Sequence, residues 1–568
     1  MNMIIKAQKL IEELILSSYK AACGAGALPE ASFDSAPVEM PKDPGNGDFS
    51  SSFAMQAARA LKLPPRKIAD ELVKHMDLKK YGGGFFSTPE VAGAGFINFR
   101  LTGEFYKNVV QNVLSEGGDY GRSVSDRPQK IMVEFVSANP TGPMHMGNAR
   151  GGVLGDCIAE VLSRAGHDVT REFLINDAGN QVALFARSLE ARYIQHFKGE
   201  EACVFPEDGY HGDDIRELAA AFAKEHGEEY LNKPEDERRK ALMEFGLGRN
   251  IARMKEDLGR YRIHYDRWFC ETELHNSGYV KETMELLKKR GATYEKDGAL
   301  WLKTTDFGCE KDDVLMRENG VYTYFAADIA YHRNKFEERK FDRVINVWGA
   351  DHHGHVKRLQ AALDALGLDG SHRLQIVLMQ LVRLMRDGEV VRMSKRTGKA
   401  ISLSDLLDEI TVDAARFFFN SRAADTHLEF DLGLAVREDS ENPVYYVQYA
   451  HARIMSILRN LEAEGIRIPE PKDADLTLLC GKEERALIRA LAALPEEIRL
   501  SALYSEPSRL NRYVTEAAAA FHRFYTDCRI KDAESAELRD ARICLCLATA
   551  RVIANTLEII GVTAPERM

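Results

Sequence analysis

Two stretches of the chain gather residue types that handle phosphate. Residues 139–152 read NPTGPMHMGNARGG, between an apolar run, IMVEFV (131–136), and a helix-patterned segment, VLGDCIAEVLSRAG. A helix that starts at the carboxyl end of a strand offers unpaired N–H groups and a positive dipole end to an anion. The glycines permit close backbone approach to a flat or charged ligand, and Pro140 and Pro143 stiffen the turn. His145 is a donor within one turn of the phosphate position, where it can meet charge developing on oxygen. The stretch reads as a cradle for a nucleotide phosphate, although a turn that only joins strand to helix could share the composition. It matches neither a GKS/GKT phosphate loop nor GxGxxG. The second stretch, GEVVRMSKRTGKAISL (388–403), follows a short hairpin and carries Arg392, Lys395, Arg396 and Lys399. Several cations on a glycine-bearing loop suit a polyphosphate. Alone, this loop reads as a solvated basic segment.

The pair narrows the reading. HMGN after the first strand and RMSKR after the last resemble the two signatures of class I aminoacyl-tRNA synthetases, usually written HIGH and KMSKS. VEFVSANPTGPMHMGNARGGVLGD, REFLINDAGNQ (171–181), YTYFAADIAYH (322–332) and NPVYYVQYAHARI (442–454) are similar to the arginyl-tRNA synthetase family. The resemblance covers nearly the whole chain. Asn148 stands where the first signature ends in His, and Arg392 and Arg396 replace the first and last residues of the second. Asn148 can still donate a hydrogen bond, and Lys395 fills the lysine position.

The resemblance implies a defined reaction. L-Arginine would attack ATP to give arginyl-adenylate and pyrophosphate, and the arginyl group would then pass to the 3′ end of tRNA(Arg), releasing AMP. By resemblance, His145, Asn148 and Lys395 are catalytic. Pro140, Gly142, His145, Gly147, Asn148, Arg392, Met393, Ser394 and Lys395 bind ATP. Such a step rests on positioning and charge neutralisation. Mg2+ is implied by ATP and by the family, not by a ligand motif. The family also forms its adenylate only with cognate tRNA bound.

A guanidinium needs a desolvated carboxylate in bidentate geometry. Glu134 ends the first strand, and Asp328 lies one helical turn after Tyr324, so both could face one pocket. Alone, either acid reads rather as an ordinary surface group or cap. By resemblance, Glu134, Ser137, Asn139, Tyr324, Asp328 and His352 bind arginine. His352, His353 and His355 sit together in GADHHGH, but neighbours in sequence do not share a helix face. No cysteine or carboxylate set completes a metal site, so no metal centre is expected. In the C-terminal region, YYVQYAHAR interleaves aromatic and basic residues at helical spacing, which suits stacking on unpaired bases. By resemblance, Tyr449, Arg453 and the terminal Met568 contact tRNA, whereas Tyr445 is expected in the core.

These residues need a scaffold. The 568 residues exceed one core, which argues for several domains. Residues 1–125 read as a small α+β domain with helices over 1–20 and 65–76 and two short strands within 84–102. By resemblance this domain contacts tRNA. From Ile131, strands (131–136, 168–175, 343–348, 374–379) alternate with helices, which predicts a Rossmann-type, doubly wound parallel sheet over 126–403. A charged helical insertion is expected around 187–290. Residues 404–568 read as an all-α stem and anticodon-binding domain.

Composition removes other classes. Net charge is -11, and residues 441–568 hold 17 Lys and Arg against 19 Asp and Glu, so no basic stripe announces RNA. Nine cysteines without a CxxC pair fit reduced thiols. The N-terminus lacks a signal-peptide core, and no apolar run is long enough for a membrane. A cytoplasmic monomer is expected. A synthetase for another amino acid is the near alternative, but the acidic pair Glu134 and Asp328 favours a cationic substrate. A small-molecule nucleotidyltransferase would not need the long helical C-terminus. A non-catalytic tRNA-binding paralogue predicts a broken signature, and His145, Gly147 and Lys395 are intact.

Overall fold

The computed structural model describes residues 2–391 and 401–568. Arg392, Met393, Ser394, Lys395, Arg396 and Lys399 therefore lie outside the described residues.

The first helix, Met3–Gly24, buries Met3, Ala7, Ile11, Leu14, Ile15, Tyr19 and Ala22, a stripe at intervals of three and four residues. The Asn2 side chain caps it by accepting from the Ile5 N–H. Beside it lies an antiparallel sheet of β1 (Phe49–Ser51), β2 (Glu90–Ala92) and β3 (Phe96–Phe99), in the order β1-β3-β2. β1 is too short for an alternating pattern to register in the sequence, and helix Phe53–Leu61 follows it.

The central sheet consists of β4 (Lys130–Glu134), β5 (Asp168–Ile175), β6 (Arg267–Cys270), β10 (Arg343–Gly349) and β11 (Leu374–Met379), all parallel, in the order β11-β10-β4-β5-β6. The order reverses between β4 and β10. In a doubly wound sheet, the crevice at the carboxyl ends of such strands is where ligands bind. Helix Met146–Arg164 follows β4 and packs tightly on the sheet: a Cβ on Gly155 would sit 2.1 Å from the Phe135 ring.

The expected insertion around 187–290 needs correction at its end. It is helical over Asn180–Lys198, Asp213–His226 and Glu235–Arg260, but β6 then rejoins the parallel sheet. A four-residue strand flanked by charge leaves no period to read, and pairing with β5 supplies its order. β7 (Thr293–Lys296), β8 (Ala299–Leu302) and β9 (Asp313–Met316) add an antiparallel side sheet.

β12 (Val382–Arg386) and β13 (Glu389–Val390) form the expected hairpin. The expected helical run after Ser404 is interrupted by β14 (Leu428–Asp431), which pairs parallel to β12. Helices Val412–Phe419, Pro443–Ala463, Lys482–Tyr504, Ser508–Asp527 and Ala536–Ile559 build the rest. The N-terminal domain seats on them: Tyr120 Oη donates to Leu491 O, and Asn555 Nδ2 donates to Gly117 O and Tyr120 O.

Candidate active site

Two cavities meet at the reversal point. One encloses about 420 Å³ and the other about 960 Å³. Val136, Ser137, Asn139, Asn176, Val347, Gly349 and His352 line both. Glu134, Glu271, Tyr324 and Asp328 line the smaller one alone; His145, Gly147 and Asn148 line the larger one alone.

The shared wall begins where the chain leaves β4. Val136 has φ 68° and Ser137 φ 42°, and the Ser137 N–H donates to Phe135 O, two residues back. A γ-turn of positive φ at a β-branched residue is strained. Such strain persists where surrounding structure over-determines it, commonly at sites. Here Ser137 Oγ donates to Glu134 Oε1 and accepts from the Leu174 N–H, which pins the turn to β5. Asn139 is equally committed: its Oδ1 accepts from Asn176 Nδ2, and its Nδ2 donates to Gln181.

Beneath the smaller cavity lies a buried charge network. The Lys335 ammonium, 0% exposed, donates to Glu134 Oε2 at 2.5 Å. Burial pushes the Lys335 pKa down, and Glu134 opposes that shift. Glu172, also fully buried, accepts from Tyr331 Oη and is gripped by Arg339. His332 Nε2 faces Asn346 Nδ2 at 2.8 Å and Lys335 Nζ at 3.4 Å, both donors, so its proton sits on Nδ1 and is given to Asp328 O. Burial holds the His332 pKa well below its usual value, so the ring is neutral.

This arrangement separates the two acids expected to act as a pair. Glu134 faces the cavity but is already neutralised by Lys335. Asp328 is partly exposed and hydrogen-bonds His355 Nε2 through Oδ2. A second acid, Glu271, lines the same cavity, with its pKa raised by burial. Glu271 follows β6 directly, and the carboxyl end of a strand is where a site residue belongs. It was hidden because β6 lay inside the expected helical insertion. Lys335 lies 201 residues from its partner, so no local pattern pointed to it. Tyr324 Oη accepts from the Asn180 N–H, and a Cβ on Gly179 (φ 87°) would come within 2.9 Å of that oxygen.

The larger cavity is built around the turn into helix Met146–Arg164. His145 Nδ1 accepts from the Gly147 N–H at 3.2 Å, which leaves the Nε2 proton free. Burial lowers the His145 pKa, so the ring is a neutral donor. Asn148 Oδ1 accepts from the His145 N–H at 2.9 Å, leaving its Nδ2 donors available. Gly147 keeps the histidine ring close, since a Cβ there would lie 3.1 Å from His145 Cε1 and press the ring aside. Gly142 lines the cavity; Pro140 is buried behind it, and its carbonyl accepts from Asn250 Nδ2.

The segment after the basic loop is fastened to the same turn. Leu403 N–H donates to Met144 O, and His145 and Ser402 form an antiparallel bridge. Before the loop, Val391 N–H donates to Leu384 O in the hairpin. Arg150, 1% exposed, donates to the carbonyls of Gln380, Ala423 and Thr426, and burial lowers its pKa to about 10. The phosphate turn and the chain flanking residues 392–400 are thus one unit.

That unit reaches the helical domain. Arg416, fully buried, donates to Asp156 Oδ2 of the phosphate-turn helix at 2.5 Å, to Ile560 O and to Tyr261 O. On the outer face of helix Pro443–Ala463, Tyr449 is 40% exposed, and the Arg453 guanidinium lies 4.3 Å from the Tyr525 ring centroid. Tyr445, expected in the core, is half buried and stacks against Tyr449 at 6.3 Å, lining a cleft with the exposed Met568. No helix among the described residues is long and apolar enough to cross a membrane, and these residues contain no group of three or more His, Cys, Asp or Glu placed for a metal.

Comparison with known proteins assigns each region. Residues 9–101 match the family described as arginyl tRNA synthetase N terminal domain, residues 109–429 the class I (R) tRNA synthetase catalytic domain, and residues 447–568 the DALR anticodon binding domain. Arginine–tRNA ligases of Acetivibrio thermocellus and Ruminiclostridium cellulolyticum are each 53% identical over 567 residues, covering 100% of both chains. The solved arginyl-tRNA synthetase of Thermus thermophilus superposes with a TM-score of 0.73 over 99% of this chain and 100% of that one, at 23% identity.

Proposed function

From the chain's membership of the arginyl-tRNA synthetase family, as a class I arginine–tRNA ligase, we propose a division of labour among its site residues. The smaller cavity takes arginine and the larger one ATP. The single observation that carries this reading is the shared wall. The arginine carboxylate must meet the α-phosphate where the two cavities touch, at Ser137, Asn139 and His352. The side chain then extends away from ATP, toward residues that line the smaller cavity alone.

There Asp328 and Glu271 receive the guanidinium, with Tyr324 beside them. Two carboxylates suit a fork of N–H donors. Glu134, neutralised by Lys335, shapes the pocket and holds Ser137. At the other end, His145 Nε2–H and Asn148 Nδ2 donate to the α-phosphate oxygens as charge builds, assisted by free N–H groups of the helix terminus. Lys395 neutralises the departing pyrophosphate, in keeping with the fastening of Ser402 and Leu403 beside His145. Arg392, Met393 and Ser394 complete the phosphate contacts with Gly142 and Gly147, while Pro140 stiffens the turn from behind. Mg2+ would enter on the ATP phosphates, with Asp351 the exposed carboxylate of that cavity. When bound it would offset phosphate charge.

Tyr449 and Arg453 stack on anticodon bases with Met568 nearby, and the N-terminal domain holds another part of the tRNA. The domains run over 1–125, 126–403 and 404–568, and the pairing of β14 with β12 argues for extending the second to about residue 431. We read the enzyme as a cytoplasmic monomer, since one chain carries every substrate region.

The test is ATP–pyrophosphate exchange with each of the twenty amino acids, with and without tRNA(Arg). Arginine alone, and only with tRNA, should support efficient exchange. Exchange with glutamate or cysteine and none with arginine would remove the pocket assignment. Efficient exchange without tRNA would remove the requirement for tRNA but not the pocket. Replacing Tyr449 and Arg453 together with Ala should weaken tRNA retention on filters and leave arginine and ATP affinity unchanged in calorimetry. Equal tRNA affinity in both proteins would refute the anticodon assignment.

A further inference from the structure

We propose that His355 and Arg358 are positioning residues that set specificity for arginine by fixing one edge of Asp328. The proposal rests on the reading of Asp328 as a guanidinium ligand. A chain of hydrogen bonds starts in β9. Asp313 Oδ1 accepts from Arg358 Nη1 at 3.1 Å, Arg358 Nε donates to His355 Nδ1 at 2.8 Å, and His355 Nε2 lies 2.8 Å from Asp328 Oδ2.

The proton positions in this chain are forced. A guanidinium carries only donors, so His355 Nδ1 must be bare and the ring proton must sit on Nε2. That N–H therefore points at Asp328 Oδ2. Asp328 Oδ1 has no hydrogen-bond partner among the described residues. One oxygen is thus held by the His355 N–H, and the other is left for the ligand.

Packing fixes the relay as firmly as the hydrogen bonds do. The His355 ring lies 5.6 Å from Phe325 and 5.5 Å from Trp348, and the Arg358 guanidinium lies 5.2 Å from the Phe325 ring. The main chain of the same acid is held separately, since His332 Nδ1 donates to Asp328 O. Two histidines of fixed tautomer therefore secure Asp328 at both backbone and carboxylate. A planar fork needs a carboxylate of set orientation, whereas an ammonium, as a point charge, does not. The relay favours arginine over lysine by orienting Asp328, with His355 at the cavity wall and Arg358 behind it.

The experiment is tRNA-supplemented ATP–pyrophosphate exchange on the full chain, comparing wild type with His355→Ala, His355→Gln and Asp328→Asn. Losing a hydrogen bond to a charged group predicts a rise of about tenfold or more in the arginine KM of His355→Ala. Its kcat and ATP KM should stay within about twofold of wild type. His355→Gln keeps an N–H near the Nε2 position and should recover most of the arginine KM. An arginine KM unchanged in His355→Ala but raised in Asp328→Asn would overturn the relay alone. A parallel loss of kcat and ATP affinity in His355→Ala that Gln does not restore would reduce His355 to packing and also overturn it. An arginine KM unchanged in Asp328→Asn would show that the pocket reading itself had failed, and the relay with it.

Discussion

The two cavities are built on opposite plans. Below the smaller cavity, the proposed arginine pocket, Glu134, Lys335, Glu172, Arg339, His332 and Asn346 partner one another. Around the nucleotide cavity, His145 Nε2 and Asn148 Nδ2 keep free donors, because Gly147 N–H and His145 N–H occupy their other atoms. A pocket that must distinguish one amino acid is rigid before its ligand arrives. A site that must stabilise charge appearing only during reaction keeps donors uncommitted for that moment.

The largest expected effect comes from breaking the rigid side. Lys335→Met should leave Glu134 as an unpaired buried charge and destabilise the protein by about 3–5 kcal/mol. The double variant Lys335→Met with Glu134→Gln removes both charges and should regain much of that loss. Thermal or urea unfolding of the two proteins measures it. Equal stability of the single and double variants would mean that the pair is not coupled, and the contrast between the cavities would lose its basis.

The nucleotide side should respond differently. His145→Ala removes a donor that matters where charge develops, so turnover in adenylate formation should fall about 10²–10³-fold. ATP binding measured by calorimetry should change little, and unfolding should stay close to wild type. A turnover number within twofold of wild type would take His145 off the catalytic side.

The same contrast explains what could be read in advance. The nucleotide cavity is made from contiguous residues at a strand-to-helix crossing, so NPTGPMHMGNARGG displays it whole. β5, β10 and β11 are strands of six to eight residues rich in β-branched, aromatic or aliphatic residues, long enough to register. The arginine pocket is assembled from β4, β6 and the helices Tyr324–Arg333 and His353–Ala365, so its logic is spread over the chain. Asp328 follows Tyr324 by one turn, but the family resemblance of YTYFAADIAYH, not the spacing, singles it out. Glu271 stayed hidden behind a four-residue strand, and Lys335 behind a partner on another element. Tyr445 was misjudged for a related reason: helical spacing gives a face but not which tyrosine on it meets the core.

The smallest expected effect separates two histidines that are both held neutral. His332 sits in the rigid network, and His145 borders the nucleotide cavity; burial lowers the pKa of each. In the unfolded chain a histidine takes its proton near the ordinary value of 6.5. Folded His332 stays neutral well below that, because both neighbours of Nε2 are donors. As pH falls below 6.5 the unfolded state therefore binds a proton that the folded state does not, and stability falls at about 1.4 kcal/mol per pH unit. Above 6.5 both states are neutral, and the contribution is fully present and constant. His332→Gln removes this titration while the other histidines remain. Between pH 6.5 and 5.5 the unfolding midpoint of the wild type should drop by about 1 °C more than that of the variant. Arginine KM is the second readout, since His332 also holds Asp328 O. His145→Ala should also lessen the midpoint difference, since burial lowers the His145 pKa too, but it should leave the arginine KM unchanged because its role lies in turnover. Identical pH slopes for wild type and His332→Gln would mean that His332 is protonated with the bulk, and the rigid side of the comparison would then need another source for its order.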